Sequence, residues 1–103
     1  MTRVVVDPVA VKDLQDIIAD YLSESGVNLA DRFQKAWART TRHLEEFPAS
    51  GSPRLSIKVG IPNLRVWPVP GFPHVAAYIV STEVTTVIRV LHTSRDIPTS
   101  LRD

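Results

Sequence analysis

Near the end of the chain the run RVLHTSRDIP, Arg89 to Pro98, places an imidazole, two hydroxyls and a guanidinium at consecutive positions, His92 to Arg95. An imidazole titrates near pH 6.5, so His92 has the chemistry of an acid or a base. A guanidinium presents a planar fork that matches a carboxylate or a phosphate. Arg65 and Arg89 supply two more such forks, and Trp67 follows Arg65 two positions on. Arg65, Trp67, Arg89, His92 and Arg95 are therefore the residues able to shift a proton, neutralise an anion or anchor a partner.

These residues and the Asp96 that follows Arg95 also have structural accounts. His92 can tie a strand end to the tail. Asp96 can cap that tail, or pair with a strand arginine such as Arg65 or Arg89. Trp67 can pack beneath a helix layer. Arg65 and Arg89 lie inside strand-like runs, where a charged side chain must point away from the core, so they mark an exposed or partner-covered part of a sheet. The other two histidines are scattered: His74 follows a turn and is expected at the surface, and His43 lies off the apolar stripe of a helix and is expected in solvent. Without cysteine or paired carboxylates the histidines make no metal site, and no cofactor is expected.

The elements that must position these groups follow from hydrophobic periodicity. RVVV at Arg3–Val6 reads as a short strand. Asp7-Pro8 opens a helix, with proline where its missing N–H is harmless. Val11, Leu14, Ile17, Ile18, Tyr21 and Leu22 recur at helical spacing, which leaves Lys12, Asp13, Asp16 and Asp20 wet. Gly26 ends that helix. Asn28 is the expected cap of a second, with Asp31 as a weak capping-box partner. Phe33, Trp37, Thr40, Leu44 and Phe47 form its stripe over roughly 18–20 residues, and Pro48 stops it. Residues 54–63 fit either an extended or a loose segment. After them the period becomes two: Leu64–Pro68, then a turn with Pro70 and Gly71 at its centre, then 74–80 and 85–92. The order is one strand, an antiparallel helix hairpin and a three-stranded antiparallel meander. Neither helix can hide its stripe alone, so the expected fold is a two-layer α+β domain over residues 1–103.

The chain has 103 residues, 44% apolar and 22% charged, which describes one ordinary globular domain. No apolar run approaches the ~20 residues of a membrane span, and the N-terminus is too short for a signal peptide. The cytoplasm is the expected location. Residues 1–50 hold six Lys/Arg against eight Asp/Glu, a balance of −2; residues 51–103 hold six against three, a balance of +3. The second half is the better match for an acidic partner.

These pieces, in order, resemble the ParE-like toxins of bacterial toxin–antitoxin pairs, within the RelE/ParE superfamily. The resemblance rests on AVKDLQDIIADY (Ala10–Tyr21), ADRF (Ala30–Phe33), LEEFPASG (Leu44–Gly51), LRVWPV (Leu64–Val69), YIV (Tyr78–Val80) and IRVLHTSRDI (Ile88–Ile97). It implies the two-layer fold already derived. It also implies a ParD-like antitoxin whose C-terminal segment folds on the toxin, a toxin–antitoxin hetero-oligomer, and DNA gyrase as the target of a non-catalytic inhibitor.

The RelE branch instead cuts messenger RNA on the ribosome, which needs an acid, a base and cations for the phosphate. Arg65, Arg89, His92 and Arg95 would be the catalytic set in that case. RelE-type toxins typically add a tyrosine near the C-terminus; the tail here, TSRDIPTSLRD, has neither tyrosine nor lysine. A third reading is a decayed toxin that serves only in a regulatory complex with its antitoxin. Apolar residues face both ways in the last strands, Val75, Ala77 and Ile79 on one side and Tyr78 and Val80 on the other. One helix layer covers only one side, so a partner is expected on the second.

Overall fold

Residues 2–102 are described in a computed structural model of the chain. Strand β1 is Arg3–Val6. Asp7, in an extended conformation, precedes Pro8 at the first position of helix α1, Pro8–Ser25. The Asp7 side chain makes no cap bond; its carbonyl accepts the Val11 N–H at 2.9 Å. Gly26, at φ 85°, closes α1 and at once opens helix α2, Val27–Glu46. A single residue turns the hairpin because glycine tolerates positive φ. The expected cap at Asn28 is thereby displaced, and Asn28 lies inside the first turn of α2.

Ala30, Phe33, Ala36, Thr40 and Leu44 are buried along one face of α2. Phe47 leaves the stripe: the helix has ended at Glu46, and Phe47 is exposed. Pro48–Ser50 then forms a 3-10 turn. Residues 54–63, expected extended or loose, contain helix α3, Arg54–Val59, closed by Gly60 in the left-handed conformation. Six residues are too few for a period to show in sequence. The tail also folds, as helix α4, Ile97–Arg102.

Strands β2 (Leu64–Pro68), β3 (His74–Val80) and β4 (Val84–His92) form the antiparallel meander. The turn between β2 and β3 places Gly71 at φ 77°, with the Phe72 N–H donating to the Val69 carbonyl at 3.2 Å. The sheet order is β1-β4-β3-β2, and β1 runs parallel to β4. The pairing slips between Ala77 and Tyr78, which oppose Arg89 and Val87, so Ile88 is left as an extra residue in β4.

The helix hairpin covers one face over Ala10, Leu44, Ala76, Tyr78, Val87 and Val90, with Phe33, Ala36 and Val69 beside them. The other face holds a second core of Leu64, Val75, Ala77, Leu91 and Leu101, packed by Leu55, Val59, Ile61 and Ile97. The argument that a partner must cover this second face is thus corrected. α3 and α4, neither of them foreseen, bury much of it within the chain.

Tyr78 fastens the end of α2 to the sheet. Its hydroxyl donates to the Pro48 carbonyl at 2.9 Å and accepts the Gly51 N–H at 2.9 Å. Burial holds this phenol above its ordinary value of 10.0, against the opposing pull of the Gly51 bond and the Arg65 charge, so it stays a neutral donor. A Cβ on Gly51 would collide with the Tyr78 hydroxyl. Tyr78→Phe should lower stability to urea unfolding by about 1–3 kcal/mol, since a buried N–H and a carbonyl both lose their partner. Gly51→Ala should destabilise at least as much.

Candidate functional site

The fold separates the five candidate residues into two groups. Arg65 and Trp67 lie on β2, at one edge of the sheet, facing the helix hairpin. Trp67 is half-buried and stacks on the His43 ring at 4.3 Å and 16°. His43, expected in solvent, is therefore half-buried, and its Nε2 lies 2.9 Å from the Ser50 Oγ. Arg65 donates from Nη1 to the carbonyls of Ala49 at 2.9 Å and Gly51 at 2.7 Å. Its guanidinium holds the turn after α2 rather than an open sheet face.

Arg89, His92 and Arg95 gather at the other edge. β1 pairs with β4 only as far as Val6 opposite Val87. Beyond that point β4 has no strand on its β1 side, and Asp13 of α1 takes its place. The Val90 N–H donates to Asp13 Oδ2 at 2.9 Å. Arg89 donates to the same carboxylate twice, Nε to Oδ2 at 2.8 Å and Nη2 to Oδ1 at 3.1 Å, and from Nη1 to the Ser100 carbonyl of α4 at 3.2 Å. The Asp13 and Arg89 side chains are only 14% and 20% exposed. Asp13 is thus not the wet residue its helical position suggests, and Arg89 does not point to an open face. It clamps α1 to α4 around the sheet edge.

Asp96 pairs with neither Arg65 nor Arg89. It accepts the Thr99 N–H at 3.2 Å, the cap of α4 that was one of its two expected roles. That bond, with one from the Thr99 side chain, holds its carboxyl below the ordinary value. His92 is exposed, and its Nδ1 accepts the Ser94 N–H at 3.0 Å. This is the strand-to-tail tie foreseen as its structural role.

His74, expected at the surface, is only 6% exposed. The rings of Phe33, Tyr21 and His92 lie 5.4, 6.1 and 5.2 Å from it. Burial, and secondarily the neighbouring His92, push its pKa below 6.5. Its Nδ1 is buried and has no hydrogen-bond partner.

Three adjoining clefts run along α1. The first, about 210 Å3, is lined by Ile17, Asp20, Tyr21, Glu24, His74 and His92. The second, also about 210 Å3, adds Asp13, Asp16 and Arg95. The third, about 480 Å3, reaches Pro8, Val9, Lys12 and Arg89. One wall of this groove is thus a row of carboxylates on a single face of α1. Their spacing, 13, 16, 20 and 24, was readable as one helix face; that His74 and His92 stand opposite was not. Asp13 is paired with Arg89 and Asp16 with Lys12 at 3.2 Å, so the Asp20–Glu24 end is the part of this wall that disfavours phosphate. Among the described residues no group of three or more His, Asp or Glu is placed to hold a metal ion.

Asp13→Ala should destabilise the fold by about 2–4 kcal/mol in urea unfolding, because a half-buried guanidinium and a backbone N–H lose their acceptor together. For His74 the unfolded imidazole takes up its proton first as pH falls, so stability should decline below pH 6.5. Unfolding midpoints of His74→Gln should show a shallower decline over the same range.

The family model described as the ParE toxin of the type II toxin–antitoxin system parDE matches residues 4–97. The fold is similar to that of a chain in the solved chromosomal ParDE toxin–antitoxin system from P. aeruginosa, with a TM-score of 0.73 at 20% sequence identity, over 89% of this chain and 96% of that one. No curated protein is significantly similar in sequence.

Proposed function

Because the chain belongs to the ParE toxin family of type II toxin–antitoxin systems, we propose that it arrests growth in the cytoplasm by binding DNA gyrase. A ParD-like antitoxin silences it in a hetero-oligomeric complex, through a C-terminal segment that folds on the toxin surface. The observation that carries inhibition by binding, over RNA cleavage, is the engagement of the basic residues. Arg65 is bonded to two backbone carbonyls and Arg89 to Asp13. They lie on β2 and β4, with β3 between them. His92 and Arg95 share their cleft with Asp13, Asp16 and Asp20. Cleaving a phosphodiester calls for cations converging where charge develops, and a wall of carboxylates works against it.

A protein partner also accounts for Val9, an exposed valine of α1 that lines the 480 Å3 cleft.

Induction in cells without the antitoxin tests the reading. DNA synthesis should fall first and cells should filament, while translation persists. Purified toxin should inhibit gyrase supercoiling, and His92→Ala should inhibit as well as the parent chain. An immediate stop in translation with cut transcripts would replace this reading with the RelE-type nuclease.

A further inference from the structure

The six cations of residues 1–50 are not spread evenly. Four of them, Arg32, Lys35, Arg39 and Arg42, fall on α2 at spacings of three, four and three, which gathers them on one face of the helix. All four are exposed; the buried face of α2 carries Ala30, Phe33, Thr40 and Leu44 instead. No carboxylate lies between Arg32 and Leu44 in the sequence, and Asp31, just before that stretch, pairs with Lys35 at 3.0 Å. Among the described residues Arg32, Arg39 and Arg42 have no ion-pair partner. α1 is built differently, with Lys12 set four positions before Asp16 and bonded to it at 3.2 Å. On α2 the cations stand three or four positions from one another, where like charges repel. A polyanion lying along this face relieves that repulsion.

Two further observations select the polyanion. Residues 28–46 expose no large apolar side chain, so the row of cations has no anchor for a protein interface or for insertion into a lipid surface. Just past its end Phe47 is 56% exposed, with its ring 5.4 Å from that of His43, which stacks on Trp67. An exposed aromatic ring at the end of a row of arginines suits a nucleic-acid strand. The guanidinium forks take phosphates and the ring takes an unpaired base.

We propose that the outer face of α2 binds a single-stranded nucleic acid, with its phosphates on Arg32, Lys35, Arg39 and Arg42 and a base on Phe47. None of these residues lines the clefts along α1, so the face is separate from that groove. The proposal does not rest on gyrase being the target.

Fluorescence anisotropy of a labelled oligothymidylate with the full chain tests it. Binding should saturate at low salt, and log Kd should rise with log salt at a slope of about 3, as four phosphate contacts require. Arg32→Gln combined with Arg39→Gln alters two exposed positions without ion-pair partners. The fold should therefore hold by circular dichroism, while binding weakens about tenfold or more and the salt slope falls by about half. Removing the same charge from α3, by Arg54→Gln with Lys58→Gln, should change binding by less than about twofold, since distant charges are screened. Phe47→Ala should weaken binding about fivefold or more and leave the slope unchanged.

No saturable binding at low salt, or an equal loss from the α2 and α3 pairs, would overturn the proposal. Competition by poly-glutamate as effective as that by unlabelled oligothymidylate would also overturn it, and would assign the face to an acidic polypeptide. Undiminished affinity in Phe47→Ala would remove the base contact and with it the single-stranded ligand.

Discussion

A four-residue strand lies parallel to a nine-residue one, and the Asp13 carboxylate makes up the difference. Where β1 stops, the remaining edge of β4 would expose its backbone polar groups to a helix packed against it. A buried backbone N–H needs a partner, and the Asp13 side chain reaches from α1 to accept it. The same carboxylate draws in Arg89, whose fork then takes the Ser100 carbonyl of α4. One side chain thus orients the first helix on the sheet, turns a strand arginine inward, and ties the last helix to the far face. Three elements distant in sequence depend on it.

At the opposite edge Tyr78 and Arg65 do similar work with backbone partners. Between them they hold the carbonyls of Pro48, Ala49 and Gly51 and the Gly51 N–H. The segment leaving α2 is thereby pinned across β2, where Ser52 bridges to Val66. That segment leads directly into α3, which shares the second core with α4. Covering the second face internally changes what a partner has to do. It is not needed to complete the core, because the chain already covers that face itself.

The strands and the helix hairpin were legible because each repeats its period several times. β1 falls at its β-branched run, β2 and β3 fall where the period becomes two, and the turn at Pro70-Gly71 follows from its chemistry. α3 and α4 were not legible: six residues make fewer than two turns, and their apolar positions, Leu55 and Val59 or Ile97 and Leu101, match a strand edge or a loop as well as a helix. The site was the least legible part. Sequence spacing places Asp13 on the polar face of α1, and nothing local reveals that β1 ends one turn's reach away. His74 looks like a turn residue until Tyr21 and Phe33, 53 and 41 positions earlier, close over it. The residue types were right at Arg89 and His92, but their partners were long-range contacts that one sequence does not display.

Charge shows the same gap between order in sequence and order in space. The second half of the chain carries the positive balance, yet two of its six cations are absorbed internally, Arg65 by carbonyls and Arg89 by Asp13. The four that remain, Arg54, Lys58, Arg95 and Arg102, are exposed, and three of them belong to α3 and α4. The acidic residues of α1 line the groove on the other side of the sheet edge. The surface is therefore polarised, with a carboxylate wall along α1 and a cationic face on α3 and α4. Opposite potentials steer and register a partner more than they add to its affinity. An acidic segment is drawn to the α3–α4 face and repelled from the Tyr21 end of the groove; a basic one behaves the other way. A polypeptide that engages both must carry its charges in separate blocks, and that block order fixes the direction in which it crosses the toxin.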